Sequence, residues 1–398
     1  MSLIVTLTRP GGQPENVTGK LLGGSLDLGR SLGDEGASCS FSLLNAAEPL
    51  PLAQVSVSWG SVPIYRGQII DRDRSNPRGA DLIITKPQSS DAVQMLARRL
   101  VAEVYEERPA GEIVADLFDK YMPEVAADQA QLQLITTPLT FAFNYVPLLE
   151  CTRRVAEAAG TYWFLHPDGG LRFFQTYSGS QVEYSPKAIV DGSLRDRVSA
   201  GEFANRVWVF GAKQASPGYK IMVFSGDSTV FPLGYEPNYV QVRVDGATKK
   251  VLLKENDDGS AEFLVDKKAK LVTAKQEYPG AAVEIKFRPT VEIVDYFEDL
   301  ASMRTYGIYE KAIKDRTITD KLTARQRGRA ALRQRSRPKA ILSWQTRDWQ
   351  VYPGQPVVLS YPSLNTNGVF RITSVDTTFR SLGDDRWDVL ASITAEEV

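Results

Sequence analysis

Short apolar runs alternate with turn signals over the first quarter of the chain. The start, Met1-Ser2-Leu3-Ile4-Val5-Thr6, reads as a strand, and punctuation follows at Pro10-Gly11-Gly12, Leu22-Gly23-Gly24, Gly33-Asp34-Glu35-Gly36 and Asn76-Pro77-Arg78-Gly79. Such spacing predicts a small barrel or sandwich over residues 1–87. The pattern then changes to helical spacing. Ser89-Ser90-Asp91 is placed to cap a short helix through Val93, Leu96 and Leu100. A second helix follows Pro109-Ala110-Gly111, with Ile113, Leu117, Phe118 and Tyr121 on one face and Pro123 closing it. A third runs from Pro147 through Leu148, Cys151, Thr152, Val155 and Ala159 to Gly160. Residues 161–165 and 171–174, joined by His166-Pro167-Asp168-Gly169-Gly170, predict a strand, a turn and a strand.

A strand-like run resumes at residues 205–211. A separate small β-unit is expected from Ser225 to about Pro289, with Val240, Val242 and Val244 alternating before the turn Asp245-Gly246. A helix is expected from about Thr319 to Ser336, and the β pattern returns at Ile341.

The closing stretch repeats the opening one. Val55, Val57 and Trp59 precede Tyr65-Arg66, then Ile70-Asp71, then Asp81-Leu82-Ile83-Ile84; Val357, Leu359 and Tyr361 precede Phe370-Arg371, then Val375-Asp376, then Asp388-Val389-Leu390-Ala391. Both read as three consecutive strands, and the aromatic-Arg and apolar-Asp pairs keep the same internal spacing. The repeat positions are therefore Tyr65, Arg66 and Asp71 in one copy and Phe370, Arg371 and Asp376 in the other. A chain with two copies of one unit presents twice as many similar subunits as it has protomers, which matters in ring assemblies.

The fold class expected is mainly β, multi-domain α+β: two related antiparallel barrels, the second discontinuous, with an α+β insertion and a small inserted β-domain. The boundaries are 1–87 for the first barrel, 88–195 for the α+β domain, 196–224 with 338–398 for the second barrel, and 225–337 for the inserted domain with its connecting helix. The length of 398 residues accommodates this.

Charge and composition narrow the function. Net charge is −1, with 24% charged residues, so no strong overall field marks a nucleic-acid or membrane-surface binder. No apolar run approaches the roughly 20 residues of a membrane-spanning helix, and no basic segment precedes an apolar one at the start. The two cysteines, Cys39 and Cys151, are far apart in apolar contexts, which suggests buried thiols, no disulfide and synthesis in a cytoplasm.

Candidate chemistry is sparse, and no catalytic, cofactor or metal residue is expected. The single histidine, His166, reads as a solvated turn residue, and one histidine excludes multi-histidine metal sites. Carboxylate pairs among Glu103, Glu106 and Glu107, or Glu298 and Asp299, read as solvated surface. Gly23-Gly24 lacks the rest of a phosphate-binding loop. Asn256-Asp257-Asp258-Gly259-Ser260 reads as a hairpin turn, since no Glu closes a calcium loop. The densest basic run holds Arg325, Arg327, Arg329, Arg333, Arg335 and Arg337. Its plain reading is a solvated helix face with Leu322, Ala331 and Leu332 turned inward. Arg325, Arg329 and Arg333 are the candidates for a nucleic-acid or subunit contact.

An ordered series of soft motifs resembles the baseplate hub or tail-tip hub proteins of tailed bacteriophages over nearly the whole chain. It comprises Ile64-Tyr65-Arg66-Gly67-Gln68-Ile69; Ala110-Gly111-Glu112-Ile113; residues 155–164 followed by Pro167-Asp168-Gly169-Gly170-Leu171-Arg172-Phe173; Asn205-Arg206-Val207; residues 226–233; Tyr306-Gly307 to Lys314-Asp315; and residues 368–376. The resemblance implies two tube-like barrels per protomer and a homotrimeric ring. Six near-equivalent barrels would then meet the sixfold tail tube or distal tail rings, and the other side would offer threefold symmetry to a spike, fibre or tip complex. It also implies a virion tail location at the baseplate and a lumen that passes tape-measure protein and then DNA, with only transient, non-specific DNA contact during ejection. No cofactor, no membrane insertion and no enzymatic activity are expected. Larger relatives continue into adhesin or lytic modules, whereas this sequence stops at Val398. The alternative is a carbohydrate- or receptor-binding tail protein, suggested by 16 Tyr, 6 Trp and the small β-unit; a cell-wall hydrolase is the weaker rival.

Overall fold

The computed structural model describes residues 2–33, 36–45, 51–76, 83–177, 181–361, 364, 366–383 and 386–398. The expected turns at 33–36 and 76–79, and Asp81-Leu82 of the repeat, fall partly or wholly outside these. The chain divides into two compact units. One comprises Met1–Trp208, Tyr296–Lys311 and Arg325–Val398; the other comprises Val209–Asp295 and Ala312–Ala324.

Among the described residues of the first unit, thirteen strands form one sheet. They are numbered here in chain order: β1 (Leu3–Thr8), β2 (Pro14–Asn16), β3 (Leu21–Ser31), β4 (Ala37–Leu44), β5 (Gln54–Trp59), β6 (Val62–Ser75), β7 (Ile84–Ser90), β8 (Val182–Tyr184), β9 (Arg195–Ser199), β10 (Lys339–Thr346), β11 (Pro356–Tyr361), β12 (Thr366–Gly383) and β13 (Arg386–Glu397). Strict alternation drives them. In β4 the side chains of Ala37, Cys39, Phe41 and Leu43 are buried while Ser38 and Ser40 face water. In β1, Leu3, Val5 and Leu7 do the same.

The strands fall into two sets of identical order. In the first set β1 neighbours β5, followed by β6, β7, β4 and β3; in the second, β8 neighbours β11, followed by β12, β13, β10 and β9. Chain order and spatial order match strand for strand, with β2 an addition at the edge of the first set. One difference is direction: β1 runs antiparallel to β5, whereas β8 runs parallel to β11. Another is insertion. A few residues join β3 to β4, but the whole stretch from 200 to 338 separates β9 from β10.

The two sets are hydrogen-bonded together rather than standing apart. The first half of β12 pairs with β11, and its second half pairs antiparallel with β3, from Ser374↔Ser31 to Arg380↔Ser25. A single core runs beneath both, including Leu26, Leu28, Val55, Val57, Trp344, Val357, Ile372 and Phe379.

Several expectations need correction. The strand Arg206–Ala215 was expected in the second barrel, yet it pairs in a different, six-stranded sheet beside Ala282–Glu298 and Glu310–Lys314; Lys220–Ser225 joins the same sheet. The second set begins with β8 and β9 instead. An alternating apolar strand states its periodicity but not its partner, because pairing is a long-range choice. The first helix is also shorter than its spacing suggested: α1 is Val93–Leu96, and Leu100 opens the strand Leu100–Pro109. Asp91 accepts the backbone N–H groups of Ala37 (2.8 Å) and Val93 (3.0 Å), so it ties α1 to the start of β4.

The segment after α1 packs helices on a hairpin. Leu100–Pro109 pairs with Pro138–Pro147; α2 (Ala110–Tyr121) and α4 (Leu148–Ala159) bury the faces read from their periodicity, and α3 (Gln129–Leu132) lies against α2. Gly160 ends α4 at φ 69°, a left-handed position that glycine adopts without a Cβ penalty. Tyr162–Leu165 and Gly170–Phe174 form the expected hairpin.

In the second unit, Pro237–Val244 and Ala247–Lys249 form a tight hairpin through Asp245 and Gly246, both at positive φ as a two-residue primed turn requires. A four-stranded sheet (Val230–Pro232, Val251–Leu253, Phe263–Asp266, Leu271–Ala274) and the six-stranded one enclose Phe231, Phe263 and Phe287. The loop at Asn256–Ser260 is not a hairpin, because the strands it joins run parallel. Instead Asp257 accepts the Gly259 N–H (3.0 Å) and the Lys275 ammonium (3.0 Å), and Asp258 accepts the Ser260 N–H (2.9 Å). Local side-chain to backbone bonds therefore shape this loop.

Candidate functional site

The repeat positions lie at matching places in the two strand sets, though two residues out of register. Val57 faces Tyr65 and Val55 faces Gly67 across β5 and β6; Leu359 faces Gly368 and Val357 faces Phe370 across β11 and β12. By pairing, the counterpart of Phe370 is Gly67, not Tyr65. A shift of two preserves the face, so both aromatics point into the core and are buried. Space explains the exchange. A Cβ on Gly67 would lie 2.2 Å from the Tyr65 hydroxyl, so the Tyr65 side chain fills the room above the glycine. Its hydroxyl donates to Ser89 Oγ (3.0 Å), which donates to the Cys39 carbonyl (2.9 Å). Burial pushes the Tyr65 phenol far above its usual range.

The charged repeat positions diverge. Arg66 is exposed, whereas the Arg371 guanidinium lies 3.8 Å from the Tyr162 ring centre and 3.8 Å from the Glu396 carboxylate. Asp71 and Asp376 are both exposed. Asp71 accepts the Arg72 N–H at 2.7 Å, and Asp376 stands opposite Gly29 on β3.

Helix α6 (Lys321–Arg335) separates its arginines by face. Arg325, Arg329 and Arg333 are exposed at i, i+4 spacing and continue to exposed Arg337. Arg327 pairs with Glu157 on α4, and Arg335 lies 3.4 Å from Glu202. Ala331 is buried and Leu332 half-buried, but Leu322 is 37% exposed, against the inward orientation expected of it. Ala324, Gly328 and Ala331 supply the buried face instead; a Cβ at Gly328 would sit 2.1 Å from the Phe297 ring.

A cavity of about 270 Å³ opens among Arg30, Tyr65, Asp91, Met95, Met122 and His166. His166 is not the solvated tip residue that its turn suggested. Its ring centre lies 4.7 Å from that of Tyr352, the planes tilted by 40°, and its Nδ1 lies 3.0 Å from the Asp168 carboxylate. Burial lowers its pKa, opposed by the charge of Asp168. Arg30 is buried; its guanidinium donates to the Trp349 carbonyl (3.3 Å), lies 5.0 Å from the Tyr352 ring centre, and is lowered to about 10 by desolvation.

Carboxylates weighed as catalytic pairs are engaged structurally. Glu103 takes Lys120 (3.2 Å) and the Tyr121 hydroxyl (3.2 Å), while Glu298 takes Arg206 (2.6 Å). Asp299 caps the helix α5 (Leu300–Tyr306) through the Ser302 N–H at 3.0 Å. Glu106 and Glu107 are exposed. Among the described residues no group of three or more His, Cys, Asp or Glu could hold a metal ion, and no helix is long and apolar enough to cross a membrane. Cys39 and Cys151 are buried and neither forms a disulfide.

No protein-family model matches the chain, and no curated protein does. Solved structures do. The 43 kDa tail protein of prophage MuSo2 from Shewanella oneidensis is similar at a TM-score of 0.58 and 12% identity, covering 100% of this chain and 98% of its own. A tail protein from Neisseria meningitidis is similar at 0.58 and 9% identity, covering 100% and 97%. A prophage tail protein from Listeria monocytogenes is similar at 0.53 and 10% identity, covering 100% and 95%. Over its whole length, then, this chain has the fold of phage tail proteins, the family that its ordered motifs resemble.

Proposed function

We propose that the protein is a structural component of a phage-type tail, a hub in which three copies close into a ring at the distal end of the tail tube. The observation that carries this reading is the doubled strand order, β1-β5-β6-β7-β4-β3 and β8-β11-β12-β13-β10-β9, within one chain. Three protomers then present six similar units. A sixfold tube ring meets near-equivalent surfaces on one side, while a spike, fibre or tip protein meets threefold symmetry on the other. Many weak, repeated contacts around such a ring supply affinity through avidity. Its lumen would pass tape-measure protein and DNA, and its role is assembly rather than catalysis. The carboxylates weighed for hydrolysis are tied to cations, a helix cap or open solvent, which supports that part of the reading.

The glycan-binding alternative needs open aromatic faces. In the second unit Lys220 lies over Tyr235 (4.4 Å), Lys286 and Arg288 over Tyr219 (4.5 and 4.7 Å) and Arg288 over Tyr239 (5.1 Å). Cations thus occupy ring faces on which a sugar would stack.

Light scattering across a concentration series tests the ring. A mass three times 44.0 kDa, and stacking on tail-tube rings seen by electron microscopy, are expected. A chain that stays monomeric with tube protein present would refute the adaptor reading.

A further inference from the structure

One strand of the second unit leaves a sheet edge unpaired while showing large apolar side chains to water. Lys220–Ser225 pairs antiparallel with the first part of Ala282–Glu298, from Lys220↔Phe287 to Ser225↔Ala282, and among the described residues no strand pairs with its other edge. Pro237–Val244 lies on the far side of the same stretch, so three strands share two faces. The inner face holds Ile285 and Phe287 in the core, with Met222 and Phe224 packed against it. On the outer face Ile221 is 55% exposed and Val223 63%. Natural sheets blunt such edges with charge, proline or a cover. The run Lys220-Ile221-Met222-Val223-Phe224 has no proline and a single charge, a composition suited to pairing with a further strand.

The outer face also has a sign. Lys286 and Glu284 stand directly opposite Ile221 and Val223, and Gln241 and Arg243 stand opposite those two in turn. Glu284 lies 4.0 Å from Arg243. Arg288, two residues beyond Lys286, extends the same face. Its guanidinium lies 4.7 Å from the Tyr219 ring centre and 5.1 Å from that of Tyr239, and the Lys286 ammonium lies 4.5 Å from Tyr219. These rings position the two cations, yet among the described residues no carboxylate pairs with either, and Arg288 Nε is buried with no hydrogen-bond acceptor. Arg243, Lys286 and Arg288 against Glu284 leave the face positive. A second copy of this chain added to the edge would set like charges side by side, which opposes self-pairing.

We propose that the free edge of Lys220–Ser225 receives an extended segment of another protein in which apolar and acidic residues alternate. Its backbone continues the six-stranded sheet, and its apolar side chains lie over Met222 and Phe224. Its acidic side chains stand on the outer face, their stems over Ile221 and Val223 and their carboxylates toward Lys286 and Arg288. Reach allows this. Neighbouring strands lie about 4.8 Å apart, so the added strand is about 10 Å from the one bearing both cations, within the joint span of a Glu and a Lys or Arg side chain. Backbone pairing supplies affinity and the cations supply selectivity. A single chain carries the whole surface, so the proposal stands apart from the ring reading.

The test uses the full chain and a fluorescein-labelled decapeptide of alternating Glu and Val, blocked at both ends and followed by anisotropy; a control peptide alternates Lys and Val. Saturable binding of the acidic peptide and none of the basic one is expected, weakening as salt rises. Lys286→Glu, on the outer sheet face, should keep the native circular dichroism and lower affinity about fivefold or more. Alternate N–H groups of a strand point to opposite edges, so N-methylating every Val or every Glu should abolish binding for one set and spare it for the other. No saturable binding of the acidic peptide, or equal affinity in Lys286→Glu, would overturn the proposal. If methylation spares both peptides or neither, the segment is not an added strand. Self-association of the chain that Val223→Lys abolishes, with no peptide bound, would make a second copy the occupant instead.

Discussion

Trp59 and Trp349 meet edge to face with ring centres 5.4 Å apart, and Phe379 completes the cluster at 5.9 Å from the first and 5.2 Å from the second. Trp59 ends β5 in the first strand set; Trp349 lies between β10 and β11 in the second; Phe379 sits on the stretch of β12 that pairs with β3. Three rings thus weld the sets where their backbones join. Aromatic pairs in this geometry add to the stabilisation from burial alone. Replacing Trp349 by Ala should cost about 3–5 kcal/mol in urea unfolding. A loss below about 1 kcal/mol would mean that the sets are held by backbone pairing instead.

Arg30 sits beside this cluster as a buried cation with one backbone acceptor and an aromatic face. Its desolvation is large, as the depressed pKa of about 10 reflects. Replacing buried charged groups by apolar ones is often neutral or stabilising provided that no partner charge is left buried; Asp376, whose charge acts on Arg30, is exposed and stays in water. Arg30→Met should therefore leave unfolding free energy within about 1 kcal/mol of the native value or above it. A drop of several kcal/mol would show that the contacts to Trp349 and Tyr352 outweigh desolvation.

Asp91 gives a pH signature. Burial raises its pKa to about 6, despite the two backbone donors that favour its charged form. The folded state then retains a proton that the unfolded chain has released, so this group's contribution to stability falls as pH rises from about 4 to about 6, by on the order of 2–3 kcal/mol. Urea titrations at pH 4, 5, 6 and 7 should show that slope in the native chain and its absence in Asp91→Asn. Parallel pH profiles for the two proteins would exclude it.

Gly111 is held to glycine by space, not by φ. A Cβ there would approach the Leu132 carbonyl oxygen to 1.9 Å, because α2 starts by donating the Ala110 and Gly111 N–H groups to the carbonyls of Thr137 and Ile135. Gly→Ala inside an exposed helix ordinarily stabilises by about 0.5–1 kcal/mol. Here Gly111→Ala should instead destabilise by about 2 kcal/mol or more, since backbone rather than a flexible side chain must give way. Thermal melts of the two proteins decide between these signs.

Local physical chemistry alone determined much of this chain. Alternation of period two placed β5, β6, β11 and β12; helical spacing with Pro147 and Gly160 at its ends placed α4; and Asp245-Gly246 specified its hairpin. The doubling was legible as well, because both copies must bury an aromatic on the same face. Tertiary structure decided everything that depends on partners distant in sequence. Arg206–Ala215 has the periodicity of a strand wherever it pairs, so only packing assigned it to the six-stranded sheet. The two-residue offset between Tyr65 and Phe370 was hidden, because a shift of two keeps the face and only the cross-strand neighbours reveal it. His166 looked like a turn residue until the fold brought Tyr352 against it. The joining of β12 to β3 was hidden as well, since register along a sheet is set by strands hundreds of residues apart.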